Sequence, residues 1–294
     1  MTELKLRPVR EIVDGVQTLE GGGFPVRRPF PTERLDGVDP FLLLDQMGPV
    51  DWPPGEAIGA PDHPHRGFET VTYLLEGKLE HKDSKGNVAY LGPGDVQWMT
   101  TGSGVIHSEV PDAEFKRRGG RVHGFQIWVN LPARDKMMSP RYQDVPAADI
   151  PQAESEDGRV KVRIVAGESL GAQAVIDTRT PISFLHFTVK PGGSIDQPVP
   201  AEHNAMAYVF SGEARIGPES AAVREGQLAV FAPGEVARIA VAPDAAGPAE
   251  LLLLSGVPLN EPVARYGPFV MNTDQEIEQA ITDYQQGRFG EIGV

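Results

Sequence analysis

Two pairs of potential metal ligands lie in the first half of the chain, and each pair has a spacing of two residues. His63 and His65 occur in DHPHRGFETVTYLLEG, and His107 and Glu109 occur in GSGVIHSEVP. Side chains at positions i and i+2 of a strand point to the same face, roughly 6.6 Å apart along the backbone. Each pair can therefore aim at one point. Three imidazoles and one carboxylate would suit Fe(II), Mn, Co, Ni, Cu or Zn.

The segments that carry these pairs alternate like short strands, with turn residues between them. In the first half they are ETVTYLLEGKLEHK, NVAYLGPGDVQWM, VIHSEV and VHGFQIWVNLP. In the second half they are KVRIVAG, ISFLHFTVKPGG, NAMAYVFSGEARIG, QLAVFAPGE, VARIAVAP and AELLLLSG. Short runs with a period of two, bounded by Gly and Pro, predict strands. The sequence therefore predicts an all-β protein, and 294 residues suit two domains.

A proline-rich stretch divides the two sets of strands. Residues 132–151 contain four Pro and little periodicity, which predicts a connector. The predicted domains are residues 1–131, which carry the metal ligands, and residues 152–294.

One helix is predicted near the C-terminus, over about residues 273–286. In NTDQEIEQAITDYQQGRFG, Thr273 and Glu276 fit a capping box, apolar residues recur at helical spacing, and Gly287 suits the end of the helix. We expect this helix to pack against the rest of the chain and to carry no chemistry.

Composition excludes several classes of function. The net charge is −14, from 27 basic and 41 acidic residues, so the positive surface of a nucleic-acid-binding protein is missing. The chain has no Cys, so a metal must be held by His and carboxylate groups. No signal-peptide core and no apolar run of about 20 residues occurs. We therefore expect a cytoplasmic protein that binds neither membranes nor nucleic acid.

The two halves align as a repeat. TYLLEG at residues 72–77 matches AYVFSG at residues 207–212, and the turn LGPGD matches VREGQ. In this alignment, residues that cannot bind a metal replace all four candidate ligands. The aligned pairs are His63 with Pro198, His65 with Pro200, His107 with Ile239, and Glu109 with Val241. The alignment predicts one working site and one silent copy.

Several of these motifs together resemble the pirin family of the cupin superfamily. They are HPHRGFETVTYLLEG, LGPGDVQWMTTGSGVIHSE, HGFQIWVNLP and GPFVMNT, and the resemblance covers nearly the whole chain. It implies two stacked antiparallel β-barrels of the cupin type and one divalent metal, Fe(II), in the N-terminal barrel. The implied ligands are His63, His65, His107 and Glu109. Glu69 matches the carboxylate of the general cupin motif, and the resemblance implies a supporting role for it.

The resemblance implies two different functions. The first is a quercetin 2,3-dioxygenase, an oxidoreductase that opens the ring of a flavonol with O₂, with Glu109 as ligand and base. The second is an iron-dependent redox-sensing regulator that binds a partner protein, either a transcription factor or a metabolic enzyme. A storage or purely structural role is a third reading. A cavity open to a planar aromatic ligand would favour the enzyme, and a closed site beneath a flat acidic patch would favour the regulator.

Weaker expectations concern residues near the motifs. His81 and His123 are candidates for hydrogen bonds that orient the ligands. Gln97, Trp98 and Met99 could line a cavity, but Trp98 and Met99 fit a core better.

Overall fold

A computed structural model describes residues 4–293 and shows a nearly all-β protein. The strands of its first half are β1 (Val9–Asp14), β2 (Val16–Glu20), β3 (Phe24–Phe30), β4 (Phe41–Trp52), β5 (Ala60–His65), β6 (Phe68–Glu76), β7 (Leu79–Asp83), β8 (Val88–Leu91), β9 (Val96–Thr100), β10 (Val105–Pro111), β11 (Gly120–Asn130) and β12 (Arg141–Val145). Helix α1 (Ala113–Arg118) and a 3₁₀ helix (Ala133–Asp135) lie among them.

The second half continues the same pattern. Its strands are β13 (Gln152–Glu154), β14 (Val160–Ala166), β15 (Glu168–Ser169), β16 (Ala172–Gln173), β17 (Ile182–Val189), β18 (Ser194–Pro198), β19 (Asn204–Ser211), β20 (Glu213–Ile216), β21 (Ala221–Arg224), β22 (Gln227–Phe231), β23 (Val236–Ala240), β24 (Ala249–Gly256), β25 (Ala264–Tyr266) and β26 (Phe269–Met271). Helix α2 (Asp274–Gln285) follows. No helix within residues 4–293 is both long enough and apolar enough to cross a bilayer.

The chain divides into two compact units. Among the described residues, the first unit comprises residues 17–28, 41–147 and 259–293, and the second comprises residues 4–16, 29–40 and 148–258. This grouping differs from the predicted domains because the terminal segments are exchanged. Strand β1 pairs with β22 of the second unit, and the terminal helix α2 belongs to the first unit.

The predicted connector is wrong in part, because it contains a strand. Strand β12 lies inside the stretch 132–151 and pairs antiparallel with β9 at the edge of the main sheet of the first unit. Its five residues are flanked by Pro140 and Pro146. Proline is compatible with the ends of an edge strand, so the prolines there bound a strand as well as a loop.

The first unit contains a seven-stranded sheet and a four-stranded sheet. The strand orders are β12-β9-β6-β11-β4-β3-β2 and β5-β10-β7-β8, and β25 and β26 form a separate ribbon. Trp98 and Met99 are fully buried in strand β9, which confirms their assignment to the core.

The second unit repeats this plan. Its seven-stranded sheet has the order β1-β22-β19-β24-β17-β14-β13, and its four-stranded sheet has the order β18-β23-β20-β21. Its interior is a continuous apolar cluster that includes Phe187, Ile239 and Leu253. Across residues 4–293 the paired strands form open sheets, so the predicted closure into barrels is not confirmed.

Both helices begin at side-chain caps. The predicted capping box of α2 is confirmed, because the Thr273 hydroxyl accepts from the backbone N–H of Glu276 while the Glu276 carboxylate accepts from that of Thr273. Gly287 follows the helix with a φ of 72°, as predicted. Helix α1 was not predicted. Its signal is Asp112, whose carboxylate accepts from the backbone N–H of Phe115.

Candidate metal centre

Strands β5 and β10 bring three histidines together. They pair antiparallel with His63 opposite His107 and His65 opposite Val105. His65 follows His63 by two residues, so both side chains lie on the face that His107 shares. One ring nitrogen from each histidine lies within 4.8 Å of the other two. The predicted convergence of these three side chains is therefore present in the structure.

Burial keeps two of these imidazoles neutral. His65 and His107 are 3% and 1% exposed, and His63 is half-buried. Burial lowers the pKa of His65 well below its usual range, and the nearby His63 ring adds to the effect. Burial also lowers the pKa of His107, with further contributions from His65 and His63. Neutral imidazole is the form that binds a metal.

Backbone carbonyl groups orient two of the rings. Nδ1 of His63 lies 2.7 Å from the carbonyl oxygen of Pro61, and Nδ1 of His65 lies 3.3 Å from that of Pro268. A carbonyl oxygen can only accept, so each Nδ1 carries the proton and donates. Each Nε2 then keeps its lone pair. A hydrogen bond from one nitrogen to a carbonyl is the usual arrangement of a metal-binding histidine.

His107 supplies the test of whether the cluster fits a metal ion. Among residues 4–293 neither of its ring nitrogens has a hydrogen-bond partner, although both are buried. Such a buried polar group costs about 1–3 kcal/mol. A cation held between the three rings would accept a lone pair from His107 and offset that cost. The donors present therefore fit a divalent metal ion.

Glu109 lies outside the three-histidine cluster. The register of β5 and β10 shifts between His107 and Glu109, so the regular alternation that predicted a shared point does not extend to Glu109. Its Oε1 accepts a hydrogen bond of 2.6 Å from the hydroxyl of Thr72. Glu109 lines the same cavity as His63 and His65. Its role as the fourth ligand stays a prediction.

A cavity of about 500 Å³ opens beside the histidines. Part of its wall is apolar and aromatic. The apolar residues include Phe24, Leu43, Met47, Trp52, Ile58 and Trp128. Trp128 also contacts the His65 ring, with 5.2 Å between the ring centroids. This combination of an apolar wall and a few polar groups is typical of a small-molecule site.

Of the residues predicted to support the site, His81 lies beside the histidine cluster, whereas His123 does not. His81 is buried, and its ring centroid is 5.1 Å from that of His107. His123 instead contacts Gln46, so it does not orient the cluster. Glu69 is fully buried and accepts from the hydroxyl of Thr100 at 2.6 Å, which agrees with a supporting role.

Among the polar residues of the cavity wall that were not predicted, four come from neighbouring strands of one sheet. They are Arg28, Asp45, Thr72 and Gln126. Each lies on a different strand of the seven-stranded sheet, namely β3, β4, β6 and β11. The signal in the sequence is weak, because it consists of single polar residues inside apolar strands, and only cross-strand register shows that they meet.

The repeat places apolar residues where the first unit has histidines, but its predicted register needs correction. In the predicted alignment Pro198 replaces His63 and Ile239 replaces His107, so Pro198 should pair with Ile239, but Ile239 pairs with Ile195 and Pro198 with Val236. If Ile239 is kept at the position of His107, the observed pairing puts Ile195 at the position of His63 and Gln197 at that of His65. The loop between β18 and β19 has five residues, against two between β5 and β6. This three-residue insertion shifts the alignment.

Two sheets of this order, with three histidines on the paired strands β5 and β10, define a protein of the cupin type with a candidate metal site. Comparison with protein families agrees: residues 23–129 match the Pirin family model, and residues 184–290 match that of the Pirin C-terminal cupin domain. The chain is 44% identical to a pirin-like protein of Solanum lycopersicum over 99% of this chain and 96% of the relative. The chain therefore belongs to the pirin family.

Solved structures show the same similarity. A quercetin 2,3-dioxygenase from Acinetobacter baumannii is 36% identical and superposes with a TM-score of 0.90, covering 98% of this chain and 99% of the other. A bacterial pirin from Escherichia coli, solved in complex with nickel(II), is 19% identical with a TM-score of 0.61, covering 87% of this chain and 99% of the other. The second match supports the fold alone.

Proposed function

We propose that the protein is a metal-dependent dioxygenase of the quercetin 2,3-dioxygenase type, which opens the ring of a flavonol with O₂. The observation that carries this proposal is the cluster of three histidines, two of which, His63 and His65, line a cavity of about 500 Å³ with aromatic residues in its wall. The similarity to the A. baumannii quercetin 2,3-dioxygenase over nearly the full chain supports the same reaction.

The proposed metal ligands are His63, His65, His107 and Glu109. One divalent ion would be bound, with Fe(II) as the first choice and Mn, Co, Ni, Cu or Zn as alternatives, because imidazole and carboxylate donors suit all of them. When bound, this ion would act as a Lewis acid that lowers the pKa of the flavonol 3-hydroxyl.

Glu109 is the proposed base for the 3-hydroxyl proton. The Thr72 hydroxyl donates to Oε1 of Glu109, which holds the carboxylate at the cavity wall and leaves Oε2 to accept a proton. Trp52 and Trp128 line the cavity and supply aromatic surface for contact with an aromatic ligand. These residues would bind the flavonol, exclude water and direct its hydroxyl toward Glu109.

The test is aerobic turnover by protein reconstituted separately with Fe, Mn, Co, Ni and Cu. We expect metal-dependent loss of flavonol absorbance together with release of carbon monoxide. Glu109→Gln should reduce the rate by about 100-fold, in line with the removal of a general base. Glu114→Gln, on the exposed surface of α1, is the matched control and should turn over like the parent. A metal-loaded protein that leaves every flavonol intact in air would refute the proposal.

The regulatory alternative predicts a different surface around the metal. A partner protein would need a closed site beneath a flat acidic patch, whereas two of the three clustered histidines, His63 and His65, line a cavity. This observation favours the enzyme. Binding of a protein partner, cytoplasmic location and closure of the sheets into barrels stay predictions.

A further inference from the structure

A row of polar side chains crosses the seven-stranded sheet at the wall of the cavity. Thr72 lies opposite Gln126, and Gln126 lies opposite Asp45 on the next strand. On the strand beyond, Arg28 donates from Nε and Nη2 to the two carboxylate oxygens of Asp45 at 2.7 and 2.6 Å. Directly opposed residues share a face of a sheet. All four side chains therefore border the same space, and all four line the cavity.

The two ends of this row have different neighbours. At one end Thr72 contacts Glu109, which belongs to the proposed metal centre. At the other end Arg28 also donates to Glu20 at 2.5 Å. Three strand spacings of about 4.8 Å separate the strands of Thr72 and Arg28, so the row is roughly 14 Å long. This span matches an elongated ligand with one end at the histidines.

The corresponding row of the second unit is entirely apolar. Ala207 replaces Thr72 and lies opposite Leu253, which lies opposite Leu185, which lies opposite Ile164. The fold therefore does not require polar residues at these positions. A buried ion pair contributes little to stability compared with apolar residues of the same volume. A role in ligand binding accounts for the polar row of the first unit.

Arg28 has donors left for a ligand. Its side chain is 16% exposed, and its contacts with Asp45 and Glu20 use Nε and Nη2. In the part of the chain that the structure describes, the two N–H groups on Nη1 have no protein acceptor. A guanidinium N–H can donate to a hydroxyl, carbonyl or carboxylate oxygen.

The charge of the cavity wall distinguishes between these acceptors. Four carboxylates and two guanidinium groups line it, a formal charge of −2. They are Glu20, Asp45, Asp62, Glu109, Arg28 and Arg265. At the far end two carboxylates, Glu20 and Asp45, contact the single guanidinium of Arg28, so an anionic group there would be repelled, whereas a neutral hydroxyl oxygen would not. The far end therefore suits a phenolic hydroxyl better than a carboxylate or sulfate.

We propose that Arg28 is a specificity-determining residue, which binds a hydroxyl oxygen on the end of an elongated aromatic substrate that lies farthest from the histidines. This inference rests on the proposed function for the near end of the ligand. It narrows the substrate class to flavonols that carry hydroxyl groups on the phenyl ring.

The test compares binding of two flavonols in the absence of O₂. Nickel(II)-loaded protein is titrated with quercetin and with the flavonol that lacks hydroxyls on its phenyl ring, and binding is followed by quenching of tryptophan emission. We expect the parent protein to bind quercetin about tenfold more tightly, as for one hydrogen bond from a charged donor. Arg28→Met should abolish this preference. Equal affinities in the parent, or a preference that survives in Arg28→Met, would overturn the proposal.

Two further variants show whether a lost preference could result from misfolding of Arg28→Met. Arg28→Met with Asp45→Asn removes the carboxylate that the single variant leaves unpaired, and it should lose the preference in the same way. Arg238→Met is the matched control, because Arg238 makes a similar two-pronged contact with Asp196 on the exposed surface of the second unit. It should keep the preference.

The outcome separates this proposal from the proposed function. Binding without O₂ does not require turnover, so a preference that depends on Arg28 would stand even if no flavonol were consumed in air. Turnover in air together with equal affinities would retain the dioxygenase and remove the role of Arg28.

Discussion

In the first unit, His63 lies opposite His107 across strands β5 and β10, and in the second unit Ile195 lies opposite Ile239 across strands β18 and β23. The two four-stranded sheets have the same strand order. The difference extends to the next strand, where His107 faces Asp83 and Ile239 faces Ile216. One architecture therefore holds either a cluster of three histidines or an apolar core.

Gln197 is a buried polar residue of the second unit, and its side-chain hydrogen bonds are made within that unit. In the alignment that keeps Ile239 at the position of His107, Gln197 takes the position of His65. Its Oε1 accepts from the Ser169 hydroxyl at 2.6 Å, and its Nε2 donates to the carbonyls of Glu168 and Pro198. His107, by contrast, has buried nitrogens without protein partners among the described residues. Gln197 thus has its hydrogen bonds within the second unit, whereas His107 keeps two buried nitrogens that a ligand could satisfy.

The substitution His107→Ile in the first unit should have the largest effect, and the property affected is metal affinity. His107→Ile removes a ligand and gives the residue found at the equivalent position of the second unit. We expect metal affinity to fall by about a thousandfold, since a four-ligand site provides roughly 10–16 kcal/mol in total. Metal content after dialysis, measured by mass spectrometry, checks this loss. Unchanged metal content would contradict the claim that the histidines, which the second unit lacks, hold the metal.

The same variant should fold at least as well as the parent without metal. Isoleucine removes the unpaired buried nitrogens of His107 and adds apolar contact. Thermal unfolding of the metal-free proteins should therefore give an equal or higher Tm for His107→Ile, and a lower Tm would mean that His107 has a structural partner.

The reverse substitution in the second unit should destabilise the fold. Ile239→His places an imidazole in a core where the residue is fully buried and surrounded by apolar side chains. We expect a loss of about 4 kcal/mol in the free energy of unfolding, from lost packing and an unpaired polar group. Ile239→Val is the control and should cost about 1 kcal/mol. Chemical denaturation measures the free energy of unfolding of both variants. Equal losses in the two variants would contradict the claim that the second unit does not accept a polar side chain at this position.

A buried lysine should give the first unit a pH-dependent stability. Lys136 is 1% exposed, and its Nζ donates to the oxygens of Gly67, Asn130 and Val270. Burial lowers the pKa of Lys136 to about 8, and the more distant Glu261 and Glu276 oppose this shift. The unfolded chain binds this proton more tightly than the folded chain does. Stability should therefore rise with pH between about 8 and 10.5.

The size of this rise follows from the shift in pKa. It should approach about 3 kcal/mol, and it should be absent from Lys136→Met. Chemical denaturation of both proteins across this pH range separates the contribution of Lys136 to the free energy of unfolding from the contributions of other titrating groups. A parallel pH profile in the two proteins would show that the three oxygen acceptors hold Lys136 charged.

The smallest expected effect concerns the polar row. Thr72→Val keeps the shape of the side chain but removes the donor to Glu109. We expect kcat/KM for flavonol to fall by about tenfold, as for one charged hydrogen bond, with little change in Tm. Thr72→Ser keeps the hydroxyl and should restore most of the rate. Equal rates in the parent and Thr72→Val would remove Thr72 from the positioning of Glu109.

Local patterns were sufficient to predict much of this molecule. Alternation and turn residues predicted the strands, the capping box predicted helix α2, and two-residue spacing predicted the meeting of His63, His65 and His107. These features depend on residues close together in sequence. The motifs that resemble pirins also predicted the family that the comparison with family models shows.

The features that escaped prediction all depend on register or on distant pairing. The bulge before Glu109, the three-residue loop insertion before β19 and the pairing of β1 with β22 leave little trace in local sequence. The row from Arg28 to Thr72 was missed for the same reason, because its members come from four separate strands. A shift of one residue in any of those strands would turn its side chain to the other face.

The most direct test of the account is the position and number of bound metal ions. Anomalous diffraction from crystals of metal-loaded protein should show one divalent ion per chain, coordinated by His63, His65 and His107, and none between Ile195 and Ile239. An ion bound elsewhere, or a protein that takes up no divalent ion at all, would contradict the assignment of the first unit as the metal-binding copy.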